Sequence, residues 1–115
     1  MRAEGIRLVT DGQIKTILIT LQSDLSRVLG NQVAQVMLYG SHVRGEARPD
    51  SDIDVLLVMN GEVNYPDLMR RTSAAVAALS LEHDVVISRT FVTRQQFAAG
   101  RSPFLIAVRR EAVAL

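Results

Sequence analysis

The sequence contains no cysteine, no tryptophan and only two histidines among its 115 residues. The absence of cysteine excludes a disulfide-bonded scaffold, a cysteine-ligated zinc site and a thiol nucleophile. With His42 and His83 as the only imidazoles, a histidine-rich metal site is disfavoured as well. Any bound metal would therefore be held by carboxylates, and carboxylate oxygens favour a hard cation such as Mg²⁺ or Mn²⁺.

Net charge and long apolar runs are also scarce. The 13 basic and 12 acidic residues leave a formal charge of +1, which argues against a dedicated nucleic-acid or membrane-surface binder. No segment approaches the roughly 18 consecutive apolar residues of a membrane-spanning helix. The first ten residues lack the apolar core of a secretory signal. We therefore expect a cytoplasmic protein without a membrane segment, and the 48% hydrophobic content predicts one folded domain over residues 1–115.

The spacing of apolar residues predicts a small α/β fold. Strand 53–59 is nearly all apolar, as a strand buried on both faces should be. A capping box of Thr10 with Gln13 is expected at the start of the first helix. The alternation of strands and helices predicts a sheet with helices on at least one face. The predicted helices cover 10–29 and 65–81, the strands 33–39, 53–59 and 84–88, one or two short helices 93–110, and a short closing strand 112–115.

Two carboxylates stand at the beginning of the second predicted strand. Side chains alternate along a strand, so Asp52 and Asp54 project from the same face. Like charges this close repel one another, and burying either of them costs further free energy. A bound divalent cation would remove both costs. The pair therefore predicts a metal site with oxygen ligands suited to Mg²⁺.

Four further residues could complete the chemistry of this site. Gly40-Ser41 follows a strand and opens a short helix, where backbone N–H groups and a hydroxyl can hold phosphate, although Ser41 could also be simply a helix N-cap. Arg44 could contact phosphate or form a surface salt bridge. Asp84 opens the third predicted strand and would approach Asp52 and Asp54 if the two strands are neighbours. It could then complete a two-metal site or act as a general base.

The pattern Gly40-Ser41, ten residues, Asp52-Ile53-Asp54, and a further aspartate about thirty residues on resembles the nucleotidyltransferase superfamily of DNA polymerase beta. Within it, the chain is most similar to the minimal nucleotidyltransferases. The resemblance implies a small mixed sheet flanked by helices, Mg²⁺, and transfer of a nucleoside monophosphate, such as AMP from ATP, to a hydroxyl. By position it implies that Gly40 and Ser41 hold the β- and γ-phosphates. Asp52 and Asp54 would bind the metal ions, with Asp84 as the third carboxylate.

The resemblance also implies a partner. Minimal nucleotidyltransferases are often encoded beside HEPN-domain proteins, and act there as antitoxins, in some cases by adenylylating the HEPN toxin on tyrosine. At 115 residues the chain has about the size of the catalytic core alone, so the acceptor should come from another chain. Two alternatives remain open: a non-catalytic antitoxin that neutralises its partner by contact, and an enzyme acting on a small aminoglycoside-like molecule. In the second alternative a homo-oligomer could replace the missing acceptor domain.

Overall fold

The computed structural model describes residues 11–114. Helices and strands alternate along them as the apolar spacing predicts, and a single 3₁₀ turn, Gly30–Gln32, leads from the first helix into the first strand. No helix in this part of the chain is long and apolar enough to cross a membrane. In chain order the elements are α1 (Gly12–Leu29), β1 (Val33–Tyr39), α2 (Ser41–Arg44), β2 (Ile53–Met59), α3 (Tyr65–His83), β3 (Ile87–Thr93), α4 (Arg94–Ala99), α5 (Pro103–Glu111) and β4 (Val113–Ala114).

The four strands form one mixed sheet in the order β3-β2-β1-β4. Strand β1 runs antiparallel to both β2 and β4, whereas β2 and β3 are parallel. A parallel pair needs a long crossover connection, and α3 provides it. The expected small mixed sheet with flanking helices is thus confirmed, and the closing strand exists at Val113–Ala114.

Helices cover both faces of the sheet, and β2 contributes to both cores. Val55 and Leu57 belong to the larger apolar cluster, which contains the buried side chains of α1 and α3. Leu56 and Val58 point the other way, into a smaller cluster with Val108 of α5. Because side chains alternate along a strand, Asp54 lies on the face of the smaller cluster. The apolar composition of β2 follows from this two-sided burial.

The helix beginnings are fixed by short polar side chains. Asp11 accepts a hydrogen bond from the Ile14 backbone N–H at 3.0 Å, and therefore caps α1. The expected capping residue Thr10 lies outside the described residues. Asn64 caps α3 in the same way, and Pro66 occupies the first turn, where its missing N–H costs no hydrogen bond.

The third strand lies further along the chain than the sequence predicts. The prediction of a strand over 84–88 is wrong, because α3 continues to His83 and Asp84 ends it in a left-handed conformation with φ 53°. The apolar Val85-Val86 pair is a connector, and β3 begins only at Ile87. An apolar pair after a helix can therefore be mistaken for the start of a strand.

Strand β3 is attached to α3 by a partly buried arginine. The Arg89 guanidinium donates hydrogen bonds to the Thr72 hydroxyl at 2.8 Å and to the Met69 carbonyl at 3.0 Å. Burial lowers the pKa of Arg89 below its ordinary value. Within residues 11–114 Arg89 forms no salt bridge, so neutral oxygen atoms alone satisfy the guanidinium.

Candidate active site

Gly40 directly follows β1 and has a backbone conformation that only glycine adopts readily. Its dihedral angles are φ 84° and ψ −155°, a region of high strain for any residue with a Cβ. A Cβ at this position would lie 3.0 Å from Cγ of Asp54 and closer still to its Oδ2 oxygen. The absence of a side chain therefore lets the Asp54 carboxylate lie directly against the backbone at the end of β1.

The short helix α2 follows Gly40 and presents Ser41 at its beginning. The Gly40 carbonyl accepts hydrogen bonds from the backbone N–H groups of Val43 and Arg44, at 3.0 and 3.1 Å. Gly40 is the residue that caps the helix, so the alternative reading of Ser41 as the N-cap is wrong. Ser41 occupies the first helical position, directly after Gly40.

Asp54 lies near the beginning of β2, one of the two central strands of the sheet. It pairs with Tyr39 of β1 on one side and with Ser88 of β3 on the other, while Asp52 is exposed just before β2 begins. Burial raises the pKa of Asp54, and the neighbouring charge of Asp52 raises it further. His42 and Arg44, which lie nearby, lower the pKa of Asp54 and so act in the opposite direction. Asp54 is therefore a carboxylate whose negative charge is only partly compensated.

The structure does not bring the three predicted carboxylates together. Among residues 11–114, no three histidine or acidic side chains lie close enough to hold one metal ion. Asp84 is the exposed cap of α3 and precedes β3. The residue of β3 in register with Asp54 is Ser88. Only Asp52 and Asp54 remain as candidate metal ligands, a donor set that suits Mg²⁺, which commonly takes one or two carboxylates and completes its shell with water and substrate phosphates.

A carboxylate that the sequence analysis missed lies at the site instead. Glu111, the last residue of α5, accepts a hydrogen bond from the Gly40 backbone N–H at 2.6 Å. It also accepts from Nη1 of Arg44 at 3.1 Å, and the charge of Glu111 contributes to the raised pKa of Asp54. Because 71 residues separate Glu111 from Gly40, no local sequence pattern could have indicated this contact.

Arg44 forms salt bridges near the surface, which was one of the two roles expected for it from the sequence. Its Nε donates to Glu46 at 2.8 Å, and its Nη1 donates to Glu111. These two hydrogen bonds raise the pKa of Arg44. The Arg44 side chain is 45% exposed, so solvent and further anions can still reach it.

The loop between α2 and β2 is held by hydrogen bonds that set the approach to Asp52. A ring nitrogen of His42, Nε2, lies 3.3 Å from the Ser51 carbonyl oxygen. The Ser51 hydroxyl accepts from the Arg48 backbone N–H at 2.8 Å, which closes a turn. His42 therefore lines the site and links α2 to the segment that carries Asp52.

A groove opens along β3, the edge strand next to the strand that carries Asp54. Tyr39, which pairs with Asp54, has its hydroxyl 3.1 Å from the Thr90 hydroxyl and its ring edge-on to Phe104. Burial raises the pKa of Tyr39. The groove has a volume of about 600 Å³, and Thr90, Phe104 and Tyr65 are among its lining residues. Thr90 thus links the groove to Tyr39, the residue of β1 that pairs with Asp54.

Three comparisons relate the chain to known proteins. The nucleotidyltransferase domain family matches residues 14–111. A Methanocaldococcus jannaschii protein named "Putative protein adenylyltransferase" is 31% identical over 78 residues, which cover 66% of this chain and 76% of that protein. A solved structure titled "Structure of putative minimal nucleotidyltransferase" is 27% identical, with a TM-score of 0.55, and the match covers 93% of this chain and all of that one. The family match runs from α1 to the end of α5 and contains every candidate site residue.

Proposed function

Because the chain belongs to the nucleotidyltransferase domain family, we propose that it transfers AMP from ATP to a hydroxyl group of a protein acceptor. The observation that carries this proposal is the contact between β1 and β2. There the Asp54 carboxylate lies against Gly40, directly before the helix that presents Ser41. Carboxylates and phosphate-binding groups are thereby adjacent, as nucleotidyl transfer requires.

Mg²⁺ is the metal that we propose for the reaction, held by Asp52 and Asp54. The chemistry of this donor set supports the proposal, because two carboxylates close enough to raise the pKa of Asp54 would be relieved by a hard cation. When bound, the ion would neutralise charge on the phosphates and orient them. The other proposed contacts to the nucleotide are hydrogen bonds from the Gly40 N–H, the Ser41 hydroxyl and Arg44 to the β- and γ-phosphates.

The proposed reaction forms one bond and breaks one. The acceptor hydroxyl oxygen bonds to the α-phosphorus of ATP, while the bond between that phosphorus and the oxygen bridging to the β-phosphate breaks. Pyrophosphate leaves with the electron pair of the broken bond. The hydroxyl proton passes to a general base. We propose Asp84 for this role, which is one of the two that the sequence analysis left open for it. Asp84 is the exposed cap of α3, so an approaching acceptor can reach it.

A protein acceptor fits the dimensions of the chain better than a small molecule does. The described residues form one sheet with its helices and leave no separate unit to hold an acceptor. The printed name of the M. jannaschii relative, a protein adenylyltransferase, supports the same choice. We propose a HEPN-domain toxin as the acceptor, modified on a hydroxyl-bearing side chain, with this chain as its antitoxin.

The test is transfer of label from α-³²P-ATP, with Mg²⁺, to the protein encoded by the adjacent gene. We expect a labelled acceptor band with the wild-type chain, and no band when Asp52→Ala and Asp54→Ala are combined. Asp50→Ala is the matched control, because it removes an exposed carboxylate of the same loop that lies off the strand. Absence of label with the wild-type chain would refute the proposal. Protection of cells by the double variant would then identify neutralisation by contact alone.

A further inference from the structure

The Gly40 backbone N–H is already bound to an anion of the chain itself. Glu111 Oε2 accepts its hydrogen at 2.6 Å and also accepts from Arg44 Nη1 at 3.1 Å. These two donors, the Gly40 amide and the Arg44 guanidinium, are also the ones through which the proposed function binds the substrate phosphates. A carboxylate and a phosphate oxygen are both anionic acceptors, and a single N–H hydrogen cannot bond fully to both.

The position of Glu111 in α5 makes its carboxylate replaceable. Glu111 is the last residue of that helix, where the helix dipole disfavours a negative charge. Its side chain is 18% exposed, so it can swing towards solvent without crossing a packed core. The chain after it continues through Ala112 into the two-residue strand β4, which pairs with β1. Release of Glu111 therefore requires no rearrangement of the main sheet.

We infer that Glu111 occupies the phosphate-binding position of the nucleotide-free chain and that the triphosphate of the substrate displaces it. This inference rests on the proposed function, because it assumes that Gly40 and Arg44 bind phosphate. Glu111 is then a positioning residue: it keeps the Gly40 amide and Arg44 aligned before substrate arrives. Glu111 also lowers the apparent affinity for nucleotide, because only the fraction of molecules in which it has left the Gly40 amide can bind the phosphates.

Dissociation constants of a non-hydrolysable ATP analogue with Mg²⁺, measured by calorimetry, test the inference. For Glu111→Ala we expect binding about tenfold tighter than wild type, the effect of removing one charge-assisted hydrogen bond that competes with the ligand. Glu111→Gln should give a smaller gain, because its neutral amide oxygen accepts a weaker bond. Glu46→Ala is the matched control: it removes a carboxylate from Arg44 but leaves Gly40 untouched, and should change affinity less than about twofold.

Equal gains for Glu111→Ala and Glu46→Ala would mean that loss of negative charge alone matters, and would overturn the inference. If the wild-type chain binds the analogue and Glu111→Ala binds it no more tightly, the inference is overturned, while the proposed function stays intact. If neither protein binds the analogue, both proposals fail. Unfolding of Glu111→Ala would be detected by circular dichroism, and Glu111→Gln then supplies the comparison.

The Gly40 amide resonance in NMR spectra gives an independent measurement. Without nucleotide, Glu111→Gln should shift this resonance relative to wild type, because the amide exchanges a charged acceptor for a neutral one. With saturating analogue the two proteins should give the same Gly40 shift, since phosphate has replaced residue 111 in both. Resonances that remain equally far apart with nucleotide bound would show that Glu111 stays in place, and would refute its displacement.

Discussion

Replacing Gly40 by alanine should disrupt both the fold and the site. The new Cβ would lie 3.0 Å from Asp54 Cγ and closer to Oδ2, so the carboxylate would have to turn away. Forcing a non-glycine residue into φ 84° and ψ −155° costs about 1–3 kcal/mol. An off-rotamer Asp54 adds about 0.5–1.5 kcal/mol. We expect Gly40→Ala to lower the free energy of unfolding by roughly 2–4 kcal/mol, and to abolish transfer because Asp54 no longer faces the nucleotide.

Gly45 provides a matched control for backbone strain alone. It also has a positive φ, 75°, at the end of α2, but nothing lies within 4 Å of a Cβ built there. Gly45→Ala should therefore cost only about 1 kcal/mol, as a left-handed alanine does, and should retain most activity. Urea unfolding followed by circular dichroism measures both free energies.

A double-mutant cycle separates the steric contact from the strain. In an Asp54→Ala background the carboxylate that collides with the new Cβ is gone, so Gly40→Ala should cost only the backbone part of its effect. We expect the two substitutions together to destabilise the chain by at least about 0.5 kcal/mol less than the sum of their separate effects. Strict additivity would refute the reasoning, because it would mean that Gly40 and Asp54 do not constrain one another.

Three further substitutions test the charges around the site. Burial raises the folded-state pKa of Asp54 above its ordinary 3.8, so the unfolded chain loses this proton first as pH rises, and stability falls between the two pKa values. In urea unfolding at pH 7, Asp54→Asn should therefore be more stable than wild type, and the difference should shrink below pH 3.8. A variant that is equally or less stable at pH 7 would contradict the raised pKa of Asp54. Asp84→Asn keeps a residue that tolerates the left-handed cap and removes the proposed base, so label transfer should fall about a hundredfold. A change of less than about threefold would exclude Asp84 as the base and would agree with the register, in which Ser88 is the residue of β3 paired with Asp54. Ser41→Ala leaves the cap residue Gly40 unchanged, so stability should hold. The KM for ATP should rise about tenfold, the effect of one hydrogen bond to a charged group; an unchanged KM would exclude Ser41 from phosphate binding.

The sequence correctly predicted those parts of the fold that depend on residues close to one another along the chain. Strand β2 was recognisable because burial on both faces makes it a continuous apolar run. Helix α3 was recognisable by its apolar spacing and by Pro66 in its first turn. The metal site at Asp52 and Asp54 stays a prediction from their spacing; the structure places Asp54 in β2 and Asp52 just before it. In each case neighbouring residues carry all of the information.

The errors concern β3 and the contact of Glu111, which depend on tertiary packing. Strand β3 contains the polar residues Ser88, Arg89 and Thr90. Two of them have hydrogen-bond partners in the folded chain: Arg89 donates to α3, and the Thr90 hydroxyl lies beside that of Tyr39. Because these three residues are polar, the sequence pattern predicts a strand that is displaced towards the apolar residues before them. Glu111 reaches Gly40 only because β4 pairs with β1 and brings the end of α5 to the end of that strand.

The attachment of Arg89 to α3 implies that the two faces of the sheet respond differently to salt. Its partners, a hydroxyl and a carbonyl, carry no net charge. On the opposite face, Glu111 holds Arg44 through a partly exposed ion pair, and dissolved ions screen such pairs. High ionic strength should therefore loosen the end of α5 first and leave the contact between α3 and β3 in place. Amide hydrogen exchange measured at increasing salt concentration would resolve this order, residue by residue.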